Sequence, residues 1–216
     1  MNGIVIIDKP RDWTSQDVTA KLRGVFKTRR IGHGGTLDPM ATGVLPVFVG
    51  RATRGVEFFK HAEKTYEATI RLGMTTDTED VTGTVLSQCP VDVTEDSFLK
   101  ALEQFRGEIQ QIPPMYSALK VNGQKLCDLA RKGKEVERQP RTITIYKLEC
   151  LEFSGETARL LVHCSKGTYI RTLCKDIGQA LGCGGCMEAL RRVSAGSYTI
   201  AEAVSLTTLL ESAYLD

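Results

Sequence analysis

Asp38 is the residue best suited to do chemistry, because it is a single carboxylate inside a long stretch rich in glycine and proline. The stretch, residues 30–46, contains four glycines and two prolines. These residues disfavour a regular helix and a central strand, so we predict a loop. Apolar members such as Leu37 and Val44 indicate that the loop is held in one shape. Pro39 favours extended backbone at Asp38, which would present a nucleophile or base; a plain turn is the alternative.

The pattern around Asp38 is longer than a turn requires. Gly32-His33-Gly34-Gly35-Thr36-Leu37-Asp38-Pro39, followed by Ala41-Thr42-Gly43-Val44-Leu45-Pro46, closely resembles the catalytic motif of the TruB-type tRNA pseudouridine synthases. The resemblance implies that Asp38 is the nucleophile that isomerises a uridine in RNA. Many members of the family carry Thr or Ser where this chain has Gly34, and we interpret that departure as the loss of a hydroxyl only.

Two later segments resemble the family in the same order along the chain. Residues 64–73 alternate as a strand does, with Tyr66 on its apolar face, and the resemblance implies that this ring stacks on the target base. Residues 164–173 resemble the third motif, which implies that Arg171 pairs with the catalytic carboxylate and that Tyr169 holds the nucleotide. Leu190 resembles a family residue that makes an apolar contact beside the nucleotide.

Each of these residues also has a plainer interpretation. Tyr66, Tyr169 and Leu190 could be ordinary core residues. Arg171 is one step away from the apolar stripe of its helix, so we expect it to flank the core, where a surface arginine would lie. His33 is a candidate to fill the space vacated by a flipped base, but it could equally be a structural donor within a glycine loop.

Basic residues cluster ahead of the Asp38 stretch and again in the middle of the chain. Five of them lie between residues 21 and 30, and we assign Lys27, Arg29 and Arg30 to the RNA backbone. A second basic region contains Lys132, within an insert at about residues 108–141 that resembles the family's mobile thumb. A solvated helix face is the alternative for the first cluster.

The composition is that of an ordinary globular protein, with a net charge of only +2. No apolar run is long enough to span a membrane, and seven cysteines without framework spacing suit reduced thiols in the cytoplasm. We expect no metal at Cys183-Gly184-Gly185-Cys186, because no second ligand pair has suitable spacing. No phosphate-binding glycine motif is present, and the implied isomerisation requires no redox or energy input, so we expect no cofactor.

The apolar spacing also predicts the main elements. We expect helices capped at Thr14 or Ser15, at Thr94 and at Ser205, with strands at 142–153 and 157–164. Asn122-Gly123 predicts a tight turn, and the polar residues 74–83 predict a loop. The fold class is α+β, and the resemblance supplies the pseudouridine synthase fold, with a mixed, mostly antiparallel sheet flanked by helices. We expect a single catalytic domain, 1–216, without the C-terminal PUA domain of many relatives.

The resemblance implies that the chain converts uridine to pseudouridine in the T loop of tRNA, at position 55 in transfer-RNA numbering. We expect a monomer that binds the T-arm of tRNA without membrane association. Whether the aspartate attacks the ribose or the base, or abstracts a proton, stays open. Two rivals remain: a non-catalytic module that binds and folds tRNA, and an unrelated phosphatase or glycosidase with an aspartate nucleophile, the latter usually requiring a second carboxylate.

Overall fold

The computed structural model describes residues 1–213. These residues form two compact units, one made of Met1–Glu67 with the described residues from Ala189 onward, the other of Ala68–Glu188. Up to the first boundary the elements are β1 (Gly3–Lys9), α1 (Ser15–Val25), β2 (Ile31–His33), β3 (Thr42–Val49), a 3-10 helix (Gly50–Gly55), α2 (Val56–Phe59) and β4 (Lys64–Leu72).

The second unit carries most of the remaining elements. They are β5 (Met74–Thr76), β6 (Val85–Gln88), α3 (Glu95–Leu102), β7 (Gly107–Gln111), β8 (Lys120–Val121), β9 (Gln124–Lys125), α4 (Leu126–Ala130), β10 (Arg141–Phe153), β11 (Thr157–Cys164), α5 (Ile170–Ala180) and β12 (Gly185–Ala195). The chain then adds β13 (Tyr198–Thr199), β14 (Val204–Ser205) and α6 (Leu206–Ala213). Strands β4 and β12 each contribute residues to both units.

The sheet is mixed and mostly antiparallel, which confirms the expected α+β class. In the first unit the strand order is β14-β1-β3-β12, with β2 paired to β3. Within it, β1 and β3 are antiparallel, whereas β14 pairs with β1 and β12 with β3 in parallel. In the second unit the order is β4-β11-β10-β7, and β10 is antiparallel to both of its neighbours.

The local signals for helices and turns are confirmed. Thr14 caps α1, because its side chain accepts a hydrogen bond from the backbone N–H of Asp17 and Asp17 bonds back to the N–H of Thr14. That hydrogen bonding lowers the pKa of Asp17. Asn122 and Gly123 both have positive φ, 50° and 81°, the conformation that the turn between β8 and β9 demands.

The prediction of one continuous loop over residues 30–46 is wrong. Between Ile31 and Pro46 only residues 34–41 are irregular, because β2 spans Ile31–His33 and β3 begins at Thr42. Strand β3 is central despite containing Pro46. The proline lies opposite Ile6 of β1, and its carbonyl still accepts a hydrogen bond from the N–H of Gly34 at 2.8 Å. A proline lacks only the donor, so the strand keeps its acceptors on that side.

The polar stretch 74–83 is not wholly a loop, because its first residues form β5, which pairs with β6. No helix within residues 1–213 is long and apolar enough to cross a membrane. The single-domain organisation, the thumb-like role of residues 108–141 and the absence of a PUA domain stay predictions.

Candidate active site

Asp38 lies in the irregular segment between β2 and β3, and its side chain is half-buried. The N–H of Ala41 donates to the carbonyl of Asp38 at 3.0 Å, which closes a turn just after the carboxylate. The segment is short, and the strands at both of its ends are paired with each other. This pairing alone restrains its path, without any side-chain contact.

Side chains and backbone from the preceding elements hold the residues on either side of Asp38. The hydroxyl of Ser15 accepts from the N–H of Leu37 at 2.9 Å and lies 3.3 Å from its carbonyl oxygen, to which it donates. The carbonyl of Pro39 accepts from the N–H of Asp12 at 2.8 Å and from the ammonium of Lys9 at 3.1 Å. Asp38 is therefore pre-oriented by fixed backbone on both flanks, as a catalytic group requires.

Lys9 is the centre of that restraint. Its side chain is completely buried, and its Nζ donates to the carbonyls of Pro39, Pro10 at 2.8 Å and Trp13 at 2.6 Å. Burial lowers the pKa of Lys9 to about 8, while the nearby carboxylates of Asp12 and Asp38 act against that shift. These contacts give Lys9 a structural role beside Asp38.

Arg192 restrains the other end of the segment and was assigned no role from the sequence. Its side chain is 1% exposed; Nε donates to the carbonyl of Val44 at 2.7 Å and Nη2 to that of Gly35 at 3.1 Å. A Cβ at Gly43 would lie 2.2 Å from the carbonyl oxygen of Arg192. Strands β3 and β12 can therefore pair this closely only because residue 43 is glycine. The sequence carries no distinctive signal for Arg192, because β12 also contains Glu188 and Arg191.

His33 ends β2, and its side chain is half-buried. Burial is the main cause that lowers the pKa of His33, and the charge of Arg192 adds to it, while the backbone of Gly35 offsets part of the shift. The imidazole is therefore held neutral near pH 7. A neutral ring that donates and accepts suits contact with an uncharged base better than with a phosphate.

Gly34 is glycine for a steric reason that the sequence did not reveal. A Cβ there would lie 2.4 Å from the ring of Phe59 and 3.0 Å from that of Phe48. Our interpretation that the change from Thr or Ser removes only a hydroxyl is therefore wrong, because the space is already filled by aromatic rings. The 2.4 Å distance is to a carbon of the ring, which cannot yield as a flexible chain end would.

Tyr66 on β4 and Leu190 on β12 belong to the same unit as Asp38 and His33. Both are buried, at 8% exposure each. Alternate residues of β4 are buried from Lys64 to Leu72, so the predicted apolar face of that strand is confirmed. The roles of Tyr66 and Leu190 towards a nucleotide stay predictions.

Arg171 lies in the first turn of α5 in the second unit, and it is 4% exposed rather than flanking the core as expected. Its Nη1 donates to the carbonyl of Thr78 at 3.0 Å and its Nη2 to that of Tyr116 at 2.8 Å. Its Nε lies 3.9 Å from a carboxylate oxygen of Asp80. Periodicity failed here because a guanidinium can be buried wherever carbonyls and a carboxylate surround it.

Asp80 organises the loop that receives Arg171, although the sequence predicts only a polar loop at this position. It is 5% exposed. One of its carboxylate oxygens accepts from the hydroxyl of Thr78 at 2.8 Å and from both the N–H and the hydroxyl of Thr82, at 2.9 and 2.5 Å. The loop is therefore rigid where it contacts the guanidinium.

Tyr169 precedes α5 as its N-cap residue. The buried side chain of Gln111 accepts from the N–H of Tyr169 at 2.8 Å and donates to its carbonyl at 3.0 Å. This two-point contact fixes the backbone of Tyr169 just before Arg171. Gln111 had no predicted role, and an amide at the end of a strand carries no distinctive sequence signal.

The residues assigned to the RNA backbone all lie on the surface. Lys27, Arg29, Arg30 and Lys132 are exposed, and none forms an ion pair with another residue in the part of the chain that the structure describes. Lys27 has a positive φ of 46°, which turns the chain after α1. Among residues 1–213, no group of three or more His, Cys, Asp and Glu is arranged to hold a metal ion.

Two family models match the chain end to end beyond residue 22. One, described as the TruB family pseudouridylate synthase N-terminal domain, matches residues 23–170. The other, described as the tRNA pseudouridylate synthase B C-terminal domain, matches residues 171–216. Together with the motif around Asp38, these matches define the class: the chain belongs to the TruB family of pseudouridylate synthases.

Curated relatives agree with that membership. The chain is 50% identical over 209 residues to the tRNA pseudouridine synthase B of Stutzerimonas stutzeri (strain A1501), an alignment that covers 97% of this chain and 68% of the relative. It is 51% identical over 209 residues, 97% of this chain, to that of Pseudomonas syringae pv. syringae (strain B728a), covering 68% of that relative. It is 49% identical to the tRNA pseudouridine synthase B of Dechloromonas aromatica (strain RCB), an alignment that covers 97% of this chain and 70% of the relative.

Solved structures share the fold. A chain in the crystal structure of a Cbf5-Nop10-Gar1 complex superposes with a TM-score of 0.79 at 34% identity, covering 99% of this chain and 55% of that one. A chain in a structure of an H/ACA RNP bound to a substrate RNA containing 2'-deoxyuridine superposes with a TM-score of 0.76 at 32% identity. That match covers 99% of this chain and 54% of the other. The chain thus spans about half the length of these solved chains. The pseudouridine synthase fold is confirmed.

Proposed function

We propose that this chain is a tRNA pseudouridine synthase, with Asp38 as its nucleophile. The observation that carries the proposal is the restraint on Asp38, whose neighbours Leu37 and Pro39 are held by Ser15, Lys9 and Asp12. A carboxylate in a mere turn would not need buried side chains to fix both flanks. Membership of the TruB family supplies the reaction.

The reaction is an isomerisation whose atoms balance without a second reactant. The bond between C1' of the ribose and N1 of uracil breaks, the uracil turns while it is held, and C5 bonds to C1'. C5 loses a proton and N1 gains one. No oxidant, reductant or nucleoside triphosphate is consumed, so the proposal includes no cofactor.

The remaining site residues take roles around the flipped uridine, which must leave its stack to be reached. Tyr66 offers an aromatic face on which the base stacks. His33, held neutral, contacts the nucleotide by hydrogen bonding, and Tyr169 and Leu190 contact it beside the ring. Arg171 acts with Asp38 by keeping the carboxylate ionised and oriented.

The finer assignments are part of the same proposal. The substrate is uridine 55 in the T loop of tRNA, and the enzyme binds the T-arm as a monomer in the cytoplasm. Lys27, Arg29, Arg30 and Lys132 contact phosphates, since they are exposed and lack intramolecular ion pairs in the described residues. Curated relatives named tRNA pseudouridine synthase B support tRNA as the substrate class.

Tritium release from C5 of labelled uridine in an unmodified tRNA transcript tests the proposal. Wild type should release tritium, and Asp38→Ala should release none while still binding tRNA. The matched control is Asp92→Ala, which removes an exposed aspartate in the second unit and should react like wild type. Normal turnover by Asp38→Ala would overturn the assignment of the nucleophile.

The same assay separates the rival functions. A wild type that binds tRNA without releasing tritium would be a binding or folding module. Release from a transcript whose uridine 55 is replaced by cytidine would move the target to another position. Activity on a small phosphate ester or sugar, with none on tRNA, would indicate the unrelated hydrolase.

A further inference from the structure

Phe58 is the most exposed of the large apolar residues in the described chain, at 84%. Its neighbour Phe59 points inward, where its ring lies 5.7 Å from that of Phe48 and 5.8 Å from that of Tyr198. Packing of Phe59 therefore forces Phe58 outward. An aromatic ring held in water costs hydrophobic free energy.

Two exposed arginines precede Phe58 in the sequence. Arg51 and Arg54 lie three residues apart on the 3-10 helix Gly50–Gly55, where such residues eclipse one another. Both are exposed, and neither forms an ion pair within residues 1–213. The carboxylate beside them, Glu57, is neutralised by Lys60 at 2.5 Å. With Glu57 paired to Lys60, the remaining charge on this segment is the positive charge of Arg51 and Arg54.

This segment is continuous with the basic residues already assigned to RNA. The N–H of Gly50 donates to the carbonyl of Arg30 at 2.7 Å, so the 3-10 helix begins next to Arg29 and Arg30. All four arginines are exposed. Unpaired arginines on one stretch of surface present donors that match phosphate geometry.

The same segment packs on the glycine-rich residues that lead to Asp38. The ring of Phe59 fills the space beside Gly34, and a Cβ at Gly32 would meet Val56 at 3.5 Å. A ligand bound to the outward side would therefore contact an element whose inner side supports the candidate site. The position suits part of the RNA that enters that site.

We propose that Arg51, Arg54 and Phe58, named here the Phe58 face, form a further RNA-binding surface of this enzyme. Phe58 stacks an unpaired base of the substrate RNA, and the two arginines hold its flanking phosphates. The inference rests on the proposed function, because it takes the substrate to be RNA. An aromatic ring flanked by unpaired arginines matches a base and its backbone better than it matches an apolar protein surface.

Binding to an unmodified tRNA transcript tests the proposal, measured by filter binding over a range of salt concentrations. Phe58→Ala should raise Kd about tenfold at every salt concentration, the loss of one stacked base. Phe58→Trp should restore binding. The double variant Arg51→Ala/Arg54→Ala should instead reduce the slope of log K against log salt by about 1.5, as two lost phosphate contacts predict.

Leu86→Ala is the matched control, because Leu86 is an exposed apolar residue, at 67%, in the other unit. Its Kd should stay within twofold of wild type. A Phe58→Ala protein with wild-type Kd and salt slope would overturn the Phe58 face, and would leave an apolar protein partner as the explanation for the exposed ring.

Failure of the proposed function would look different. If wild type binds tRNA and Phe58→Ala weakens that binding, but no protein releases tritium, the RNA surface stands and the isomerase assignment falls. If wild type releases tritium and Phe58→Ala binds equally well, only the Phe58 face falls. A wild type without affinity for tRNA would overturn both.

Discussion

The ammonium of Lys9 donates a hydrogen bond to the carbonyl of Pro39, 30 residues away and directly after Asp38. Lys9 is completely buried, and its ammonium also donates hydrogen bonds to the carbonyls of Pro10 and Trp13. The end of β1, the turn before α1 and the Asp38 segment are therefore joined at a single nitrogen. The orientation of the candidate nucleophile depends on a residue that does not itself react.

Replacing Lys9 with Met should lower both stability and turnover. The change keeps the aliphatic length but removes three hydrogen bonds from buried carbonyls, so we expect the free energy of unfolding to fall by about 2 kcal/mol. Tritium release should slow at least tenfold with little change in KM for tRNA. Lys21→Met, on the exposed side of α1, is the control for both measurements, and equal behaviour of the two variants would contradict the role of Lys9.

The pKa of Lys9 predicts an alkaline dependence of stability. Burial lowers it from 10.5 to about 8, so between those two values the unfolded chain binds a proton that the folded chain has lost. Stability contributed by Lys9 therefore rises with pH through that window, by up to about 3 kcal/mol. Urea unfolding of wild type and Lys9→Met should diverge from pH 8 to pH 10.5; a constant difference would contradict the shift.

Gly34→Thr should destabilise the protein through its clash with Phe59, by about 1–3 kcal/mol. Phe59→Leu alone should cost about 1 kcal/mol as a cavity, yet in the double variant it should recover most of the loss. The coupling between the two changes, read from a double-mutant cycle of thermal unfolding, should exceed about 1 kcal/mol. Additive effects would mean that the ring does not fill the space.

The control for that cycle is Gly3→Thr. Nothing lies within 4 Å of a Cβ built at Gly3, and its backbone is an ordinary strand. It should be tolerated, which would show that the cost at Gly34 comes from packing rather than from the threonine.

Gln111→Met should release the backbone of Tyr169. The substitution removes both hydrogen bonds that Gln111 makes to that residue in a part-buried setting, so we expect a loss of about 1–3 kcal/mol together with a lower kcat in tritium release. Gln110→Met is the neighbouring control, since Gln110 is exposed and bonds only the hydroxyl of Thr142. Identical rates for the two variants would show that Tyr169 needs no such support.

Much of the local structure could be predicted because its causes are local. The capping box at Thr14, the alternation of β4 and the turn at Asn122-Gly123 depend on residues within a few positions of one another. The family motif likewise lies in contiguous residues around Asp38. Charge pattern and spacing assigned Lys27, Arg29 and Arg30 to the RNA backbone. Their exposure is compatible with that assignment, and the RNA contact itself stays a prediction.

Only the tertiary structure decided what supports those residues. The Pro39 carbonyl that Lys9 binds, and the carbonyls that Arg192 and Arg171 bind, come from distant segments. A carbonyl has the same chemistry in every residue, so no sequence pattern marks it. Strand β3 accommodates Pro46 because its carbonyl still finds a donor in Gly34. Gly34 is glycine because a distant ring occupies its space, which is a property of packing and not of the loop's own sequence.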